Sequence, residues 1–369
     1  MIYLDSGATS FPKPSSVRRA VLKALQTCAN PGRGGYQAAM EAARQVYGCR
    51  ETAAKLFDCQ PEQVVFTSSC THGLNIAIRS LVKPGDRVVI SGFEHNAVTR
   101  PLYALGAKVH VAGRRLFDWE DTLSAFRKAL QAGAEAAVFT HVSNVFGYIL
   151  PAVELAQLCR EYGVPFVIDA AQSAGHLPVS LRQLGADFIA MPGHKGLLGP
   201  QGTGLLLCAQ SGQPLMQGGT GGASREREMP GELPERLEAG TLNVPGIAGL
   251  NAGLKQRMAL ETERSHDKTR RLADQCAKAL TQMGMQVFSG EHQSGTVSFL
   301  PGMDCEEAAG ILARQGIAVR AGLHCAPLAH ESAGTVETGT VRVSLGHQTS
   351  PGQIQAFLRA ASKLPPVRK

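Results

Sequence analysis

Seven short apolar runs, separated by amphipathic stretches, leave this chain few architectures to choose from. The runs are VVFT (64–67), RVVIS (87–91), KVHVA (108–112), AAVFTHV (136–142), PFVIDA (165–170), DFIAM (187–191) and GTGLLLC (202–208). They are β-branched and apolar on both faces, as strands covered on both sides must be. The stretches between them have helical spacing. One of them, LAQLCREYG, closes on Gly163, a residue suited to a helix C-terminus. This alternation predicts an α/β fold built on a mostly parallel, seven-stranded sheet.

The pattern changes after Gly240. Residues 247–284 read as one or two long helices. Shorter β-like runs follow, TVSFL (296–300), IAVRA (317–321) and TVRVSL (340–345), mixed with helices near 304–315 and 351–362. The expected division is a large domain over 15–245 and a smaller α+β domain formed by 1–14 and 246–369. A helix over 15–27 follows Pro14, with Ser15 or Ser16 as its expected N-cap. The Gly- and Pro-rich segment 212–246 is too long for a simple connection, and loops of this length are either functional or disordered.

Composition removes several function classes. The 369 residues are 44% hydrophobic and 18% charged, the balance of a soluble globular protein. The net charge of +7 (37 Lys+Arg minus 30 Asp+Glu) is scattered, whereas a nucleic-acid footprint needs a concentrated basic face. Nine cysteines with no CxxC pair argue against a zinc site and for reduced thiols in the cytoplasm. The run MIYLDSGATSF lacks a secretory pattern, and no apolar stretch reaches bilayer length.

The chemistry concentrates where strands end. Lys195, in MPGHKGLLGPQGTG, lies 195 − 169 = 26 residues after Asp169, in VIDAAQ. A lysine after one apolar strand and an aspartate ending another suit a pyridoxal-phosphate enzyme. The lysine forms a Schiff base with the cofactor, and the aspartate pairs with the pyridinium nitrogen so that the ring acts as an electron sink. Gln172 is placed to donate to the cofactor's phenolic oxygen. In FTSSCTHGLN (66–75) a strand gives way to a small polar loop and a helix start, an anion site with Ser69, Cys70 and Thr71 as phosphate contacts. His95, in SGFEHNAV, offers a flat ring to stack on a pyridine. Asn144, in HVSNVFG, is a second donor for the phenolic oxygen. Singly, each has a plainer role: a surface lysine, an N-cap aspartate, a structural histidine, a turn asparagine.

Together the ordered set SSCTHG, EHN, HVSN, DAAQ and GHKG resembles the class V aminotransferase family of fold-type-I pyridoxal-phosphate enzymes. YLDSGATS, NPGRGG (30–35) and EAGTLN (238–243) extend the resemblance over nearly the whole chain. It is nearest to cysteine desulfurases and selenocysteine lyases of the SufS/CsdA type. RAGLHCAPLAH (320–330) resembles that family's cysteine loop in the short form of group II, which implies that Cys325 is the sulfur-accepting nucleophile. The resemblance implies further roles: His194 and Lys195 on the cofactor, Lys195 and His95 in proton transfer, and Arg342, Asn144 and Arg33 on the substrate. A guanidinium such as that of Arg342 suits a carboxylate bidentately. Thr241 is implied to reach the cofactor phosphate of a neighbouring subunit, which makes the expected assembly a homodimer, with a sulfur-acceptor protein as a possible partner.

The expected activity is removal of sulfur or selenium from L-cysteine or L-selenocysteine, giving L-alanine. The alternatives are another class V enzyme, an aminotransferase or β-elimination lyase, or a non-catalytic persulfide carrier. Pro192 replaces a family hydroxyl, His72 a common glutamate and Leu323 the first histidine of the cysteine loop, and GHQTS (346–350) replaces the commoner ending after Arg342.

Overall fold

Every one of the seven runs forms a strand. The computed structural model describes residues 1–32, 34–222, 224–260 and 262–367. After β1 (Ile2–Tyr3) come β2 (Val64–Thr67), β3 (Arg87–Ser91), β4 (Lys108–Ala112), β5 (Ala136–Thr140), β6 (Phe166–Asp169), β7 (Phe188–Pro192) and β8 (Gly204–Cys208). The last seven make one sheet in the order β2-β8-β7-β6-β5-β3-β4. Only β8 runs against the others, pairing antiparallel with both β2 and β7. The C-terminal ends of the other six strands therefore share one edge.

Successive strand residues point to opposite faces, and here each face has its own core. Phe66, Val89, Phe139, Phe166, Ile168, Ile189 and Leu205 pack on one side. Val65, Val88, Ile90, Val138, Val167, Phe188 and Leu206 pack on the other. Burying one such side chain stabilises the fold by about 1.5–3 kcal/mol. β4 departs from the expected burial on both faces: Lys108 and His110 are exposed, because β4 is the edge strand.

A third core contains Leu4, Leu272, Val297, Phe299, Leu312, Val343 and Phe357. Its sheet is antiparallel, in the order β12-β13-β10-β9, from β9 (Gln286–Phe288), β10 (Thr296–Leu300), β12 (Arg320–Gly322) and β13 (Thr340–Ser344). β11 (Ile317–Ala318) pairs with β1. The run IAVRA is thus split between two strands. The long helical stretch is also two helices, Val244–Ala259 and Thr262–Gln282. The first puts Val244, Ile247, Leu250 and Leu254 into the core beneath the seven-stranded sheet. The helix Ser15–Thr27 starts where the sequence places it, but neither serine caps it: Pro14 is the N-cap and Ser16 bonds Gln256 (2.9 Å) instead.

Candidate active site

Six strand ends on one edge leave a crevice, and the loops that follow them supply its walls. Ser69, Cys70 and Thr71 follow β2, His95 follows β3, and Asn144 follows β5. Asp169 ends β6, and Pro192, His194 and Lys195 end or follow β7. All of these, with Gln172, line one cavity. The local sequence explains the placement. Ser69 caps the helix Cys70–Leu81 by accepting from His72 N (3.1 Å). That leaves the backbone N–H groups of Cys70 and Thr71, and the exposed Thr71 hydroxyl, available to an anion.

Asp169 is 2% exposed. Its Oδ1 accepts from Ala171 N (2.8 Å) and from the Cys70 thiol (3.4 Å), while no described residue donates to Oδ2. A buried carboxylate with one oxygen left open needs a cationic partner. Burial lowers the Lys195 amine below the ordinary lysine range, against the opposing pull of Asp169 and Cys70, and Arg342 adds to the lowering. His95 accepts from Ala97 N at Nδ1 (3.0 Å), which leaves its proton on Nε2, and burial keeps the ring neutral. An open acceptor, a desolvated amine and a helix start are the set that a phosphorylated pyridine aldehyde requires. Pyridoxal phosphate therefore fits this crevice. Gln172 gives one amide hydrogen to Gly7 O (3.0 Å) and keeps the other.

Arg342 lies on β13 and touches the crevice residue Asn144 without itself lining the cavity. It is 2% exposed; Nη2 pairs with Asp5 Oδ1 (2.8 Å) and Nη1 donates to Asn144 O (2.9 Å), while Nε is buried with no partner among the described residues. Arg320 shares the same carboxylate through Oδ2 (3.2 Å). Two guanidiniums share one aspartate, so the cluster carries a net positive charge.

The Cys325 loop is held open by its backbone. His324 and Cys325 have φ values of 51° and 57°, two consecutive left-handed residues without a glycine. Such positions cost of order 1–3 kcal/mol each. Three bonds hold them: Asn144 Nδ2 to His324 O (2.8 Å), Asn96 N to Cys325 O (2.8 Å) and Ala326 N to Leu323 O (2.9 Å). Asn144 is therefore in contact with both Arg342 and the cysteine loop. Cys325 is exposed, whereas the other eight cysteines are buried or half-buried.

Sequence reasoning missed the N-terminal strap that is bonded to the crevice residue His194 and to Arg342. Asp5 orients both arginines. Thr9, Ser10 and Lys13 then converge on the carbonyl of His194, at 3.0, 3.1 and 2.7 Å from their side chains. The signal was YLDSGATS, which the family match covered without giving its residues roles. Thr241 lies elsewhere, exposed beside a groove of about 680 Å³ also lined by Tyr47, Arg50 and Glu238. A buried Arg50–Glu238 ion pair and Phe66 N to Glu238 Oε1 (2.6 Å) anchor its loop. Arg33 lies outside the described residues.

The chain belongs to the class-V aminotransferase family, whose model matches residues 2–357. It is 33% identical over 371 residues to a probable cysteine desulfurase of Methanothermobacter thermautotrophicus, covering 96% of this chain and 92% of that one. It is 31% identical to one of Pyrococcus abyssi, covering 99% and 94%. A cysteine desulfurase structure from Thermococcus onnurineus superimposes with a TM-score of 0.89 at 30% identity, covering 98% and 94%. The cysteine desulfurase CsdA of Escherichia coli gives 0.85 at 27%, with the same coverage. Proteins of this family are pyridoxal-phosphate enzymes, and this chain is an enzyme of fold type I. No described helix is long and apolar enough to cross a membrane.

The site predicts an acid-sensitive fold. Burial holds His141, His194 and His330 at about 4 and His324 at about 3. Their ordinary value is about 6.5. Below pH 6.5 the unfolded chain binds protons that the folded chain does not. The stability these groups contribute is thus full above 6.5 and is lost as pH falls toward 4. The slope approaches ~1.4 kcal/mol per pH unit for each buried histidine. Thermal midpoints measured from pH 7.5 to 4.5 should fall steeply below 6.5; a flat profile contradicts the buried neutral histidines.

Proposed function

We propose that this protein is a pyridoxal-phosphate-dependent cysteine desulfurase that converts L-cysteine to L-alanine and leaves the sulfur as a persulfide on Cys325; selenocysteine is the parallel substrate. The observation that carries this reading is the strained, exposed Cys325, clamped through Asn144 and Asn96 at the crevice that gathers Lys195, Asp169 and His95. Neither transamination nor β-elimination requires an exposed thiol on such a loop.

Lys195 would hold the cofactor covalently, Asp169 its ring nitrogen, and the first turn at Cys70 and Thr71 its phosphate. His95 and His194 would flank it, with Asn144 and Gln172 near its phenolic oxygen. When bound, it supplies an electron sink for the carbon that loses sulfur. Arg342 would exchange part of its contact with Asp5 for the substrate carboxylate. Lys195, with its lowered proton affinity, moves protons on the substrate, and the Nε2 proton of His95 is a second source. The Cys325 thiolate attacks the substrate sulfur. The carbon–sulfur bond breaks with its electron pair left on carbon, a sulfur–sulfur bond forms, and a proton completes alanine. Purified protein should be incubated with cysteine, cystine and selenocysteine in turn, and alanine, pyruvate and sulfide or selenide measured. Alanine from cysteine supports the proposal. Pyruvate as the main product identifies a β-elimination lyase, and turnover only with a keto acid identifies an aminotransferase.

The working unit is proposed to be a homodimer in the cytoplasm, passing sulfur to an acceptor protein. Exposed Met40 and Tyr47 lie on one face of the helix Gln37–Phe57, with Leu22 and Leu25 exposed on the helix Ser15–Thr27. Apolar surface of this kind marks an interface. Thr241 stands away from its own chain's crevice, as a residue serving a partner's site would. Pro192 lacks a hydroxyl for the phosphate, which raises the importance of a contact from the partner. A charge-assisted hydrogen bond is worth about 1.5–3 kcal/mol. Thr241→Ala should therefore weaken cofactor binding roughly tenfold to a hundredfold without unfolding the chain. Light scattering that finds a fully active, cofactor-saturated monomer would rule out the shared site.

A further inference from the structure

We propose that His330, the last residue of the run RAGLHCAPLAH, is a positioning residue for the cysteine turn and holds Cys325 in place through the ring of His324. The inference rests on the reading of Cys325 as the sulfur acceptor. His330 lies on the helix Pro327–Ala333, which starts two residues after Cys325. A helix of seven residues draws its stability from packing rather than from its own hydrogen bonds. His330 does not line the crevice, so it acts through the turn and not on the substrate.

The first observation is packing. His330 is 0% exposed, and its ring lies 5.9 Å from that of His324 and 5.7 Å from that of Phe146, centroid to centroid. A helical side chain covers the turn N-terminal to its own Cα, which brings position 330 back toward 324 and 325. Phe146 stands two residues after Asn144, whose Nδ2 donates to His324 O (2.8 Å). The His330 ring therefore packs against both the loop that supplies the clamp and the residue that is clamped. His324 also ties the turn to β13, where its Nε2 donates to Thr340 O (3.2 Å). Thr340 and Arg342 lie on the same face of that strand. The setting of the His324 ring thus fixes the cysteine turn relative to the strand that carries Arg342.

The second observation is the hydrogen-bond roles, which separate imidazole from an apolar filler. The nearer partner of His324 Nε2 is a carbonyl, which only accepts, so the proton is on Nε2 and Nδ1 is a bare acceptor; Thr340 Oγ1 stands farther, at 3.5 Å. His330 Nδ1 meets Thr335 Oγ1 (2.8 Å). Thr335 is 2% exposed, and its hydroxyl has no other acceptor among the described residues. It therefore donates to Nδ1, which puts the His330 proton on Nε2. His324 Nδ1 and His330 Nε2 are both buried with no partner among the described residues. One unspent acceptor and one unspent donor thus belong to neighbouring rings. Burial keeps both rings neutral, which preserves that complementarity. Unused buried polar atoms are costly. Pairing these two, directly or through one water, satisfies both and fixes the His324 ring.

The turn needs such a hold. Consecutive left-handed residues at His324 and Cys325 persist only where the surroundings over-determine them. Asn144, Asn96 and Ala326 act on the backbone of the turn, whereas Thr340 and His330 act on the His324 side chain. Thr335 anchors His330 a second time by donating from its backbone N to His330 O (2.9 Å). Loss of the imidazole leaves Cys325 exposed but misplaced. The contacts of Arg342 with Asp5 and with Asn144 O do not involve His330 and stay as they are.

The test compares His330→Phe and His330→Gln with wild type, all as full-length protein loaded with pyridoxal phosphate. Phenylalanine keeps a ring against Phe146 and loses both nitrogens; glutamine keeps an amide donor near the place of Nε2. His330→Phe should lower kcat for cysteine desulfuration about ten- to hundredfold, the cost of a misplaced reacting group. KM for cysteine and the visible cofactor band should stay unchanged. Selenocysteine turnover, which need not use the thiolate, should fall by less than about threefold. His330→Gln should recover most of the loss. Amide hydrogen exchange in the peptide spanning 320–327 should speed up in His330→Phe, a readout that needs no turnover. An unchanged cysteine kcat in His330→Phe overturns the proposal, as does an equal loss of cysteine and selenocysteine turnover or a glutamine variant as slow as the phenylalanine one. Thr335→Val removes the hydroxyl that sets the His330 proton and tests the same link if His330→Phe fails to fold; it should lower the cysteine kcat, and an unchanged value overturns the proposal. Wild-type protein that forms no alanine from cysteine, while exchange at 320–327 still responds to His330→Phe, would sink the reading of Cys325 and leave the positioning of its turn standing.

Discussion

Lys195→Ala protein should purify without the yellow colour that a lysine-linked pyridoxal phosphate gives, and its turnover should fall by on the order of 10³-fold or more. Two roles are lost together. The covalent tether disappears, and so does the amine whose proton affinity burial has lowered below the ordinary lysine range. Proton transfer by a positioned group alone contributes about 10²–10⁴. The rest of the cofactor cradle stays, because Asp169, the first turn of the helix Cys70–Leu81 and Gln172 do not depend on Lys195 for their hydrogen bonds. The variant should accordingly still bind added cofactor reversibly, with the spectrum of the free aldehyde. An unchanged visible band after gel filtration would show that another residue holds the cofactor.

Much of this site is legible in the sequence because parallel α/β sheets put function at strand ends. Once VVFT, RVVIS, AAVFTHV, PFVIDA and DFIAM are read as strands, the residues just beyond them must converge: Cys70, His95, Asn144, Asp169 and Lys195 all do. Less legible is what the chain folds back from far away. Asp5 meets Arg342 from 337 residues away, and no local pattern carries that pairing. Two left-handed residues at His324 and Cys325 were equally hidden, since glycine is the usual signature of that conformation. Serines at 15 and 16 misled for a related reason. A capping hydroxyl is a local inference, and tertiary packing against Gln256 took Ser16 instead. Arg257 shows the same limit from the other side: a charged residue inside a helix reads as solvent-facing until packing buries it.

Cys325→Ser is expected to abolish cysteine desulfuration, by on the order of 10³-fold or more, while the protein stays yellow. Serine keeps the size and backbone preference of cysteine, so the clamp by Asn144 and Asn96 should hold the loop as before. What disappears is a thiolate, the one side-chain species here able to attack a bivalent sulfur; a serine hydroxyl is neither ionised nor soft enough. No other cysteine can substitute. Burial pushes Cys49, Cys159 and Cys276 up to about 12 and Cys59 and Cys305 up to about 11, with Cys70 and Cys208 also raised, so at neutral pH these are thiols enclosed by protein. Cys28 is half-buried at the C-cap of the helix Ser15–Thr27 and does not line the crevice. Selenocysteine discriminates further. Its selenium leaves more easily and need not be pulled off by a thiolate, so part of that activity should survive. Mass spectrometry of wild-type protein quenched during turnover should find one extra sulfur on the peptide containing Cys325 and none in the variant. Desulfuration at the wild-type rate by Cys325→Ser, or an extra sulfur on a different cysteine, would overturn the assignment of this loop as the sulfur acceptor.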